Sequence, residues 1–154
     1  GILFRDINPL LEDHKCFNFI IKELKNRCQD IDIKYIVGIE SRGFIFGSSL
    51  AKELKKGFIV VRKEGKLPGQ TIKQSYNIEY GKATMEMQKD AIRENDKVII
   101  IDDLLATGGT ALAAANLIKK LKGKVMGFGF VIELTELNGR NILNNYDVHS
   151  LVKY

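Results

Sequence analysis

The chain has 154 residues, of which 45% are hydrophobic and 28% are charged, and its net charge at pH 7 is +5. This composition excludes a disordered polar chain and fits one domain, residues 1–154, that is long enough to bury a core. No apolar run reaches the roughly 18 residues that a membrane span needs, and Gly1 begins no recognisable signal peptide, so we expect a cytoplasmic protein without a membrane partner. Because the first residue is not Met, we also expect that an N-terminal piece is missing.

The two cysteines and the positive charge narrow the class further. Cys16 and Cys28 fall in one predicted helix at a separation of roughly 18 Å, which is too far for a disulfide, so we expect both to be reduced. Together with His14 and His149 they lack the spacing of a zinc site. The basic residues crowd one region without a basic helix interleaved with aromatic residues, which favours a small anionic ligand over nucleic acid.

Hydrophobic periodicity predicts that helices and strands alternate from the start of the chain. Asp13 caps a predicted helix from about His14 to Arg27, whose apolar residues recur at spacings of three and four. A short apolar strand is predicted at 35–39, followed by an amphipathic helix through Leu54 and a second apolar strand at 58–61.

The next segment differs from the rest in being polar and basic. Residues 62–75 contain two glycines and a proline, and we expect them to form a mobile loop because no core residue holds them. The alternating residues at 76–80 and 83–88 are typical of half-exposed strands, and Gly81-Lys82 between them indicates a hairpin. Together these residues, about 62–88, form a predicted loop followed by a hairpin.

The second half of the chain returns to strands and helices. The predicted elements are a strand at 98–101, a helix at Gly109–Leu121, a strand at 125–134, a short helix near Gly139–Asn144 and a final strand at 149–152. This alternation predicts an α/β fold with a central, mostly parallel twisted sheet and helices on both faces. Ligands of such sheets bind at the carboxyl ends of the strands, near a switch in strand order, and Asp102 and Asp103 lie at such an end.

Two adjacent carboxylates follow the most hydrophobic strand, in the stretch VIIIDDLLATGGTA at 98–111. Asp102 and Asp103 each raise the free energy of ionising the other. We therefore expect something outside the fold to compensate them.

A glycine-rich turn at 106–110 leads from this strand into the next helix. Unpaired N–H groups and the helix dipole attract an anion at such a start, and the glycines let it come close. A plain helix start capped by Thr107 or Thr110 remains an alternative. Neither the ATP-binding loop nor the dinucleotide fingerprint is present. A turn preceded by paired acids favours a ribose 5-phosphate, with its phosphate on the turn and its hydroxyls on the carboxylates.

The stretch VIIIDDLLATGGT resembles the signature of the type I phosphoribosyltransferases. Further segments occur in the same order in the adenine phosphoribosyltransferases of that family: FRDI at 4–7, GIESRGFIFG at 38–47, RKEGKLPG at 62–69, YNIEYGK at 76–82 and VIELTEL at 131–137. The resemblance covers nearly the whole chain. Ala106 supports the adenine branch, since enzymes for 6-oxopurines typically carry Asp at that position.

The resemblance implies a reaction. The 5-phosphoribosyl group of 5-phosphoribosyl 1-diphosphate (PRPP) is transferred to N9 of adenine, giving AMP and diphosphate in purine salvage. Mg²⁺ is the implied cofactor, held by PRPP or diphosphate and by waters near Asp102 and Asp103 without a direct protein ligand. A homodimer is also implied, as is a lid, formed by residues of about 62–88, that excludes water from the site.

The resemblance also implies a role for each matching residue. Glu79 donates a proton to N7 of adenine, which requires a closed, dry site, and Asp102 and Asp103 stabilise the positive charge that develops at C1 of the ribose. The residues implied to bind the 5-phosphate are Ala106, Thr107, Gly108, Gly109 and Thr110. Those implied to bind the diphosphate are Ser41, Arg42, Arg62, Lys63, Lys66 and Tyr80. Those implied to hold adenine are Leu3, Phe4, Arg5 and Leu104.

Three alternatives stay open at this stage. The first is a regulator of the same fold that binds nucleic acid, but it would need an added helix-turn-helix segment for which the chain has no room. The second is an enzyme of this fold that acts on another base, such as hypoxanthine, xanthine or a pyrimidine, against which Ala106 and Glu79 speak. The third is a structural α/β domain, in which Arg42 and Lys66 are ordinary surface residues and Phe4 is a core aromatic.

Overall fold

A computed structural model describes residues 6–154. The predictions for Leu3, Phe4 and Arg5 lie outside this range. The strands are β1 (Tyr35–Ile39), β2 (Gly57–Lys63), β3 (Thr71–Ile78), β4 (Gly81–Gln88), β5 (Lys97–Leu105), β6 (Lys124–Glu133) and β7 (Val148–Lys153). The helices are α1 (Asn8–Glu12), α2 (His14–Cys28), α3 (Arg42–Leu54), α4 (Gly109–Lys120) and α5 (Gly139–Ile142), and a single 3₁₀ turn spans Thr135–Leu137.

The seven strands form one sheet in the order β3-β4-β2-β1-β5-β6-β7. The five strands β2, β1, β5, β6 and β7 run parallel to one another. Strand β4 is antiparallel to both β2 and β3. From β1 the chain proceeds to β2 on one side, whereas from β5 it proceeds to β6 and β7 on the other. The switch in strand order therefore lies between β1 and β5, and the predicted fold class is confirmed.

Two hydrophobic clusters cover the two faces of the sheet. Val98 and Ile100 of β5 belong to the cluster that includes α4, whereas Ile99 and Ile101 belong to the cluster that includes α2 and α3. This alternation follows from the two-residue period of a strand, and burial on both faces explains why the run is apolar throughout. As a result α3 and α4 pack on opposite faces but both begin at the carboxyl edge of the sheet.

The helix predictions hold with small changes at the ends. The Asp13 carboxylate accepts hydrogen bonds from the amides of Lys15 at 2.8 Å and Cys16 at 3.0 Å, so the predicted cap of α2 is confirmed. Cys16 is exposed, Cys28 is buried, and both are free thiols as predicted. The sequence did not predict α1, because five residues are too few to show a helical period. No helix within residues 6–154 is long and apolar enough to cross a membrane.

The prediction of a loop at 62–75 is wrong at both ends. Residues 62–63 belong to β2 and residues 71–75 to β3, which pairs with β4 along its whole length, so the loop is confined to 64–70. The polar composition of β3 hid this pairing. Movement of the segment as a lid stays a prediction.

The predicted hairpin is present, but its turn is displaced. Glu79 and Tyr80 form the turn, whereas Gly81 opens β4 with φ +106°. A glycine is needed there because other residues rarely adopt that backbone conformation.

Strand β5 is longer than predicted. It continues through the two acids to Leu105, because Asp102 pairs with Phe130 and Leu105 with Glu133 on the long neighbouring strand β6. Asp102 and Asp103 therefore lie inside the last part of the strand, and its backbone hydrogen bonds fix their positions.

Candidate active site

A crevice opens at the carboxyl edge of the sheet, where the strand order switches. On one side β1 ends at Ile39 and the chain turns through Glu40 and Ser41 into α3. On the other side β5 passes through the turn at 106–108 into α4. The first turns of two helices thus flank the crevice from opposite faces of the sheet, which is where ligands bind in folds of this type.

The acid pair lies at the centre of this crevice. Asp103 is nearly buried, with a side chain 7% exposed, and its Oδ2 lies 2.8 Å from Nε of Arg42. Its amide donates to Oδ1 of Asp102 at 2.9 Å. Burial, together with the neighbouring carboxylate of Asp103, raises the pKa of Asp102 well above its usual range. Arg42 compensates Asp103 from within the fold, so the expectation of a compensating group outside the fold is wrong for that residue.

Gly43 explains how α3 approaches the acids so closely. A Cβ atom at this position would lie 2.9 Å from Oδ1 of Asp102 and 2.9 Å from the carbonyl oxygen of Ile101. Only glycine fits this contact, so Gly43 allows the first turn of α3 to bring Arg42 to Asp103.

The turn at 106–110, here called the phosphate turn, is shaped by Gly108. This residue is the N-cap of α4 with φ +84°, and no side chain among the described residues caps the helix. The alternative of a helix capped by Thr107 or Thr110 is therefore wrong. The amides of the first turn of α4 remain available to an anion in the crevice.

Strand β3 crosses beside the phosphate turn. Oγ1 of Thr110 donates to the hydroxyl of Tyr76 at 3.1 Å, and a Cβ atom on Gly109 would lie 3.3 Å from the Tyr76 ring. A cleft of about 350 Å³ opens here between β3 and α4, with Asn77 and Thr107 in its lining. The hairpin and the predicted phosphate site are therefore in direct contact.

Helix α5 supports the phosphate turn from behind. A Cβ atom on Gly139 would lie 2.1 Å from the carbonyl oxygen of Ala106 and 2.9 Å from the amide of Gly108. The neighbouring Arg140 donates to both carboxylate oxygens of Glu133, at 2.9 and 2.6 Å. These hydrogen bonds from Arg140 lower the pKa of Glu133 to about 2. The sequence analysis did not predict this support, for which the only local signal is Gly-Arg following the end of β6.

Two of the residues predicted to bind diphosphate, Arg62 and Lys63, meet at Glu40. Its two carboxylate oxygens accept from Nη2 of Arg62 at 3.1 Å and from the amide of Lys63 at 2.7 Å. The Arg62 guanidinium also lies 5.9 Å from the ring centroid of Phe44. Ser41, the N-cap of α3, is exposed beside them, and the Glu40–Ser41 peptide is cis. The sequence analysis missed Glu40, because its partners come from another strand.

Comparison with known proteins identifies the family. The phosphoribosyl transferase domain model matches residues 10–148. An adenine phosphoribosyltransferase of Halothermothrix orenii is 53% identical over 99% of this chain and 90% of its own length. The chain belongs to the adenine phosphoribosyltransferase family.

Solved structures agree with this assignment. The crystal structure of adenine phosphoribosyltransferase from Thermoanaerobacter pseudethanolicus superposes with a TM-score of 0.97 at 47% identity, covering 100% of this chain and 90% of that one. The Saccharomyces cerevisiae adenine phosphoribosyltransferase, crystallised with an imino-altritol bisphosphate and adenine, has a TM-score of 0.91 at 44% identity, with 98% and 88% covered. The predicted family and enzyme class are confirmed.

Within this adenine phosphoribosyltransferase fold, the predicted residues differ in how closely they gather. Arg42 joins the acid pair, whereas Lys63 and Lys66 are exposed. Glu79 and Tyr80 are exposed at the tip of the hairpin, where Tyr80 is 87% exposed. Their predicted roles require the tip to come closer to the substrates.

Leu104 is the one predicted adenine contact within the described residues. It is partly buried and packs against the hydrophobic cluster of α2 and α3. Its contact with the base stays a prediction.

Proposed function

We propose that the chain transfers the 5-phosphoribosyl group of PRPP to N9 of adenine in the crevice between β1 and β5, giving AMP and diphosphate. The observation that carries this proposal is the pair Asp102 and Asp103 beside a helix start without a side-chain cap, in a fold shared with adenine phosphoribosyltransferases.

The phosphate turn binds the 5-phosphate. Its backbone amides at Thr107–Thr110 and the hydroxyls of Thr107 and Thr110 supply the donors, and the dipole of α4 favours the negative charge. Ala106 stands where enzymes for 6-oxopurines typically carry Asp, the residue thought to protonate the base there, and its lack of an acid supports adenine as the base.

The acid pair stabilises the reacting sugar. As diphosphate leaves C1, the ribose gains the positive character of an oxocarbenium ion. Asp103 already faces Arg42, whereas burial and a like charge disfavour the ionised form of Asp102. A positive charge that develops nearby therefore favours the Asp102 carboxylate more in the transition state than in the ground state, which is the requirement for catalysis.

The cations around Glu40 and α3 bind the leaving diphosphate. Ser41 and Arg42 approach it from the start of α3, and Arg62, Lys63 and Lys66 from the end of β2 and the loop that follows it. Tyr80 completes this group when the hairpin tip closes. The diphosphate oxygens accept hydrogen bonds from the guanidinium groups of the arginines and are attracted by the charges of the lysines.

The site suits a magnesium ion that is held mainly by the substrate rather than by protein side chains. Within residues 6–154 no cluster of three or more His, Cys, Asp or Glu side chains could enclose a metal ion. Waters hydrogen-bonded to Asp102 and Asp103 and the oxygens of PRPP would hold Mg²⁺, an ion that keeps much of its hydration. When bound, the ion neutralises charge on the leaving diphosphate.

The remaining roles rest on the family. Leu3, Phe4, Arg5 and Leu104 hold adenine, and Glu79 protonates N7 after the hairpin tip closes and excludes water. We also propose a homodimer located in the cytoplasm.

The test is turnover with adenine, hypoxanthine and guanine in separate reactions containing PRPP and Mg²⁺, followed by release of diphosphate. Turnover of adenine alone supports the proposal. Turnover of the oxopurines instead would preserve the phosphate turn and the acid pair but overturn the base, and no turnover with any base would overturn the activity.

A further inference from the structure

One buried carboxylate holds the loop at 64–70, which joins β2 to β3 and carries Lys66. Glu86 of β4 is only 2% exposed. Its Oε1 accepts from the amides of Lys66 at 3.0 Å and Leu67 at 2.8 Å, and its Oε2 accepts from Oγ1 of Thr71 at 3.3 Å. The carboxylate thus fastens the centre of the loop and the first residue of β3 to β4.

Glu86 stays charged although it is buried. Burial alone would raise the pKa of Glu86, but hydrogen bonds from the amides of Leu67, Gly65 and Lys66 hold that pKa below its usual value. Buried carboxylates usually have a cationic partner, yet within residues 6–154 no ion pair to Glu86 is formed. The charge is directed instead at the loop backbone.

The loop has few other attachments near Lys66. One backbone hydrogen bond holds each end of the loop. The amide of Glu64 donates to the carbonyl oxygen of Thr84 in β4, and the amide of Lys89, the residue after β4, donates to the carbonyl oxygen of Gln70. Gly65 and Gly69 have positive φ, and a Cβ atom at either position would meet nothing within 4 Å. Side-chain packing therefore does not fix the conformation of these glycines.

Two weaker contacts complete the attachment. Arg62 donates to the carbonyl oxygen of Lys66 at 3.5 Å, and the Gln88 amide donates to that of Pro68 at 3.2 Å. The first is long and the second joins two neutral groups, so both contribute less than the paired bonds to a charged carboxylate.

We propose that Glu86 is a positioning residue for diphosphate binding, an inference that rests on the proposed function. By fixing the amides of Lys66 and Leu67, it presents the Lys66 side chain on the side where Arg62 and Lys63 meet Glu40. A loop already in its binding conformation loses less conformational freedom when the diphosphate of PRPP arrives. Glu86 itself does not contact the substrate.

The test compares Glu86→Gln with Glu64→Gln. Glu64 lies on the same loop but is half exposed and pairs with Lys73, so its substitution removes an equal charge without releasing the loop backbone. In Glu86→Gln we expect the KM for PRPP to rise about tenfold, because neutral hydrogen bonds replace charge-assisted ones. We expect the kcat, the KM for adenine and all constants of Glu64→Gln to stay within about twofold of wild type.

A second readout reports the loop without any catalysis. In Glu86→Gln the bond after Lys66 becomes a faster site of tryptic cleavage, whereas in Glu64→Gln its cleavage rate is unchanged. Thr71→Val, which removes only the Oε2 bond, gives an intermediate rate and serves if Glu86→Gln does not fold.

The outcomes separate this inference from the proposed function. Wild-type turnover of adenine with equal PRPP constants in the two variants would overturn the role of Glu86 alone. A fall in kcat together with a rise in the KM for PRPP and in the KM for adenine would also overturn it, because that pattern indicates general unfolding of the variant. Absence of wild-type turnover and of inorganic diphosphate binding would overturn both proposals, even with altered cleavage.

Discussion

Replacing Gly139 with alanine tests whether α5 sets the position of the phosphate turn. The added Cβ atom would lie 2.1 Å from the carbonyl oxygen of Ala106, whereas ordinary contact begins at 3.4 Å. Either α5 or the phosphate turn must therefore move by about 1 Å to relieve the overlap. Helix α5 is held by the bonds of Arg140 to Glu133, so the turn is the part that yields.

The expected effect follows from the size of this displacement. A misplacement of about 1 Å in a group that positions a reactant lowers the rate about a hundredfold. We therefore expect kcat/KM for PRPP to fall about a hundredfold in Gly139→Ala, while the KM for adenine changes little. Steady-state release of diphosphate at varied PRPP and fixed adenine measures the effect.

Gly57→Ala is the matched control. A Cβ atom at Gly57 would lie 2.7 Å from the Tyr35 ring, but this contact is at the amino edge of the sheet, opposite the crevice. We expect this variant to lose stability and retain kcat/KM. Wild-type kcat/KM for PRPP in Gly139→Ala, or an equal loss in the control, would refute the reasoning.

Three further predictions concern carboxylates. Asp102→Asn and Asp103→Asn should each lower kcat at least about tenfold in the same assay, because each removes a charge near the developing oxocarbenium ion, and wild-type turnover in both would remove the pair from the mechanism. Glu79→Gln should lose little activity, since an amide still hydrogen-bonds N7, whereas Glu79→Leu should lose much; equal kcat values would contradict the proton-donor role. The folded-state pKa of Glu133, about 2, lies below the ordinary glutamate value of 4.5, so the stabilisation by its carboxylate is present above pH 4.5 and lost as pH falls towards 2. Acid titrations followed by circular dichroism should show Glu133→Gln about 2 kcal/mol less stable at pH 7, with the difference vanishing near pH 2; solvent screening of Arg140, which is 39% exposed, keeps this difference below the full free energy of the pKa shift.

The sequence was enough to predict features whose residues are adjacent along the chain. The apolar run of β5, the acid pair and the glycine turn lie within fourteen consecutive residues, so hydrophobicity and helix-start chemistry were enough to place them. The end of β5 was not predictable in the same way. Its backbone continues to Leu105 because β6 offers a partner, and pairing with another strand leaves no mark on the residues of β5 themselves.

Contacts between distant segments explain the other differences. Arg42 meets Asp103, and Glu86 meets the loop at 64–70, only after the sheet has formed. Glu86 resembles any polar residue of an alternating strand when only the sequence is considered. The absence of a side chain at Gly139 is likewise informative only when the carbonyl of Ala106 is seen beside it.

The hydrogen bond between Thr110 and Tyr76 connects the phosphate turn to the hairpin. A threonine hydroxyl has a single proton, which in this structure goes to Tyr76 on β3. A phosphate that takes this proton obliges the bond to Tyr76 to break or to reverse. If the phosphate turn binds the 5-phosphate as proposed, the strand that leads to Glu79 is the first part of the hairpin to respond to it.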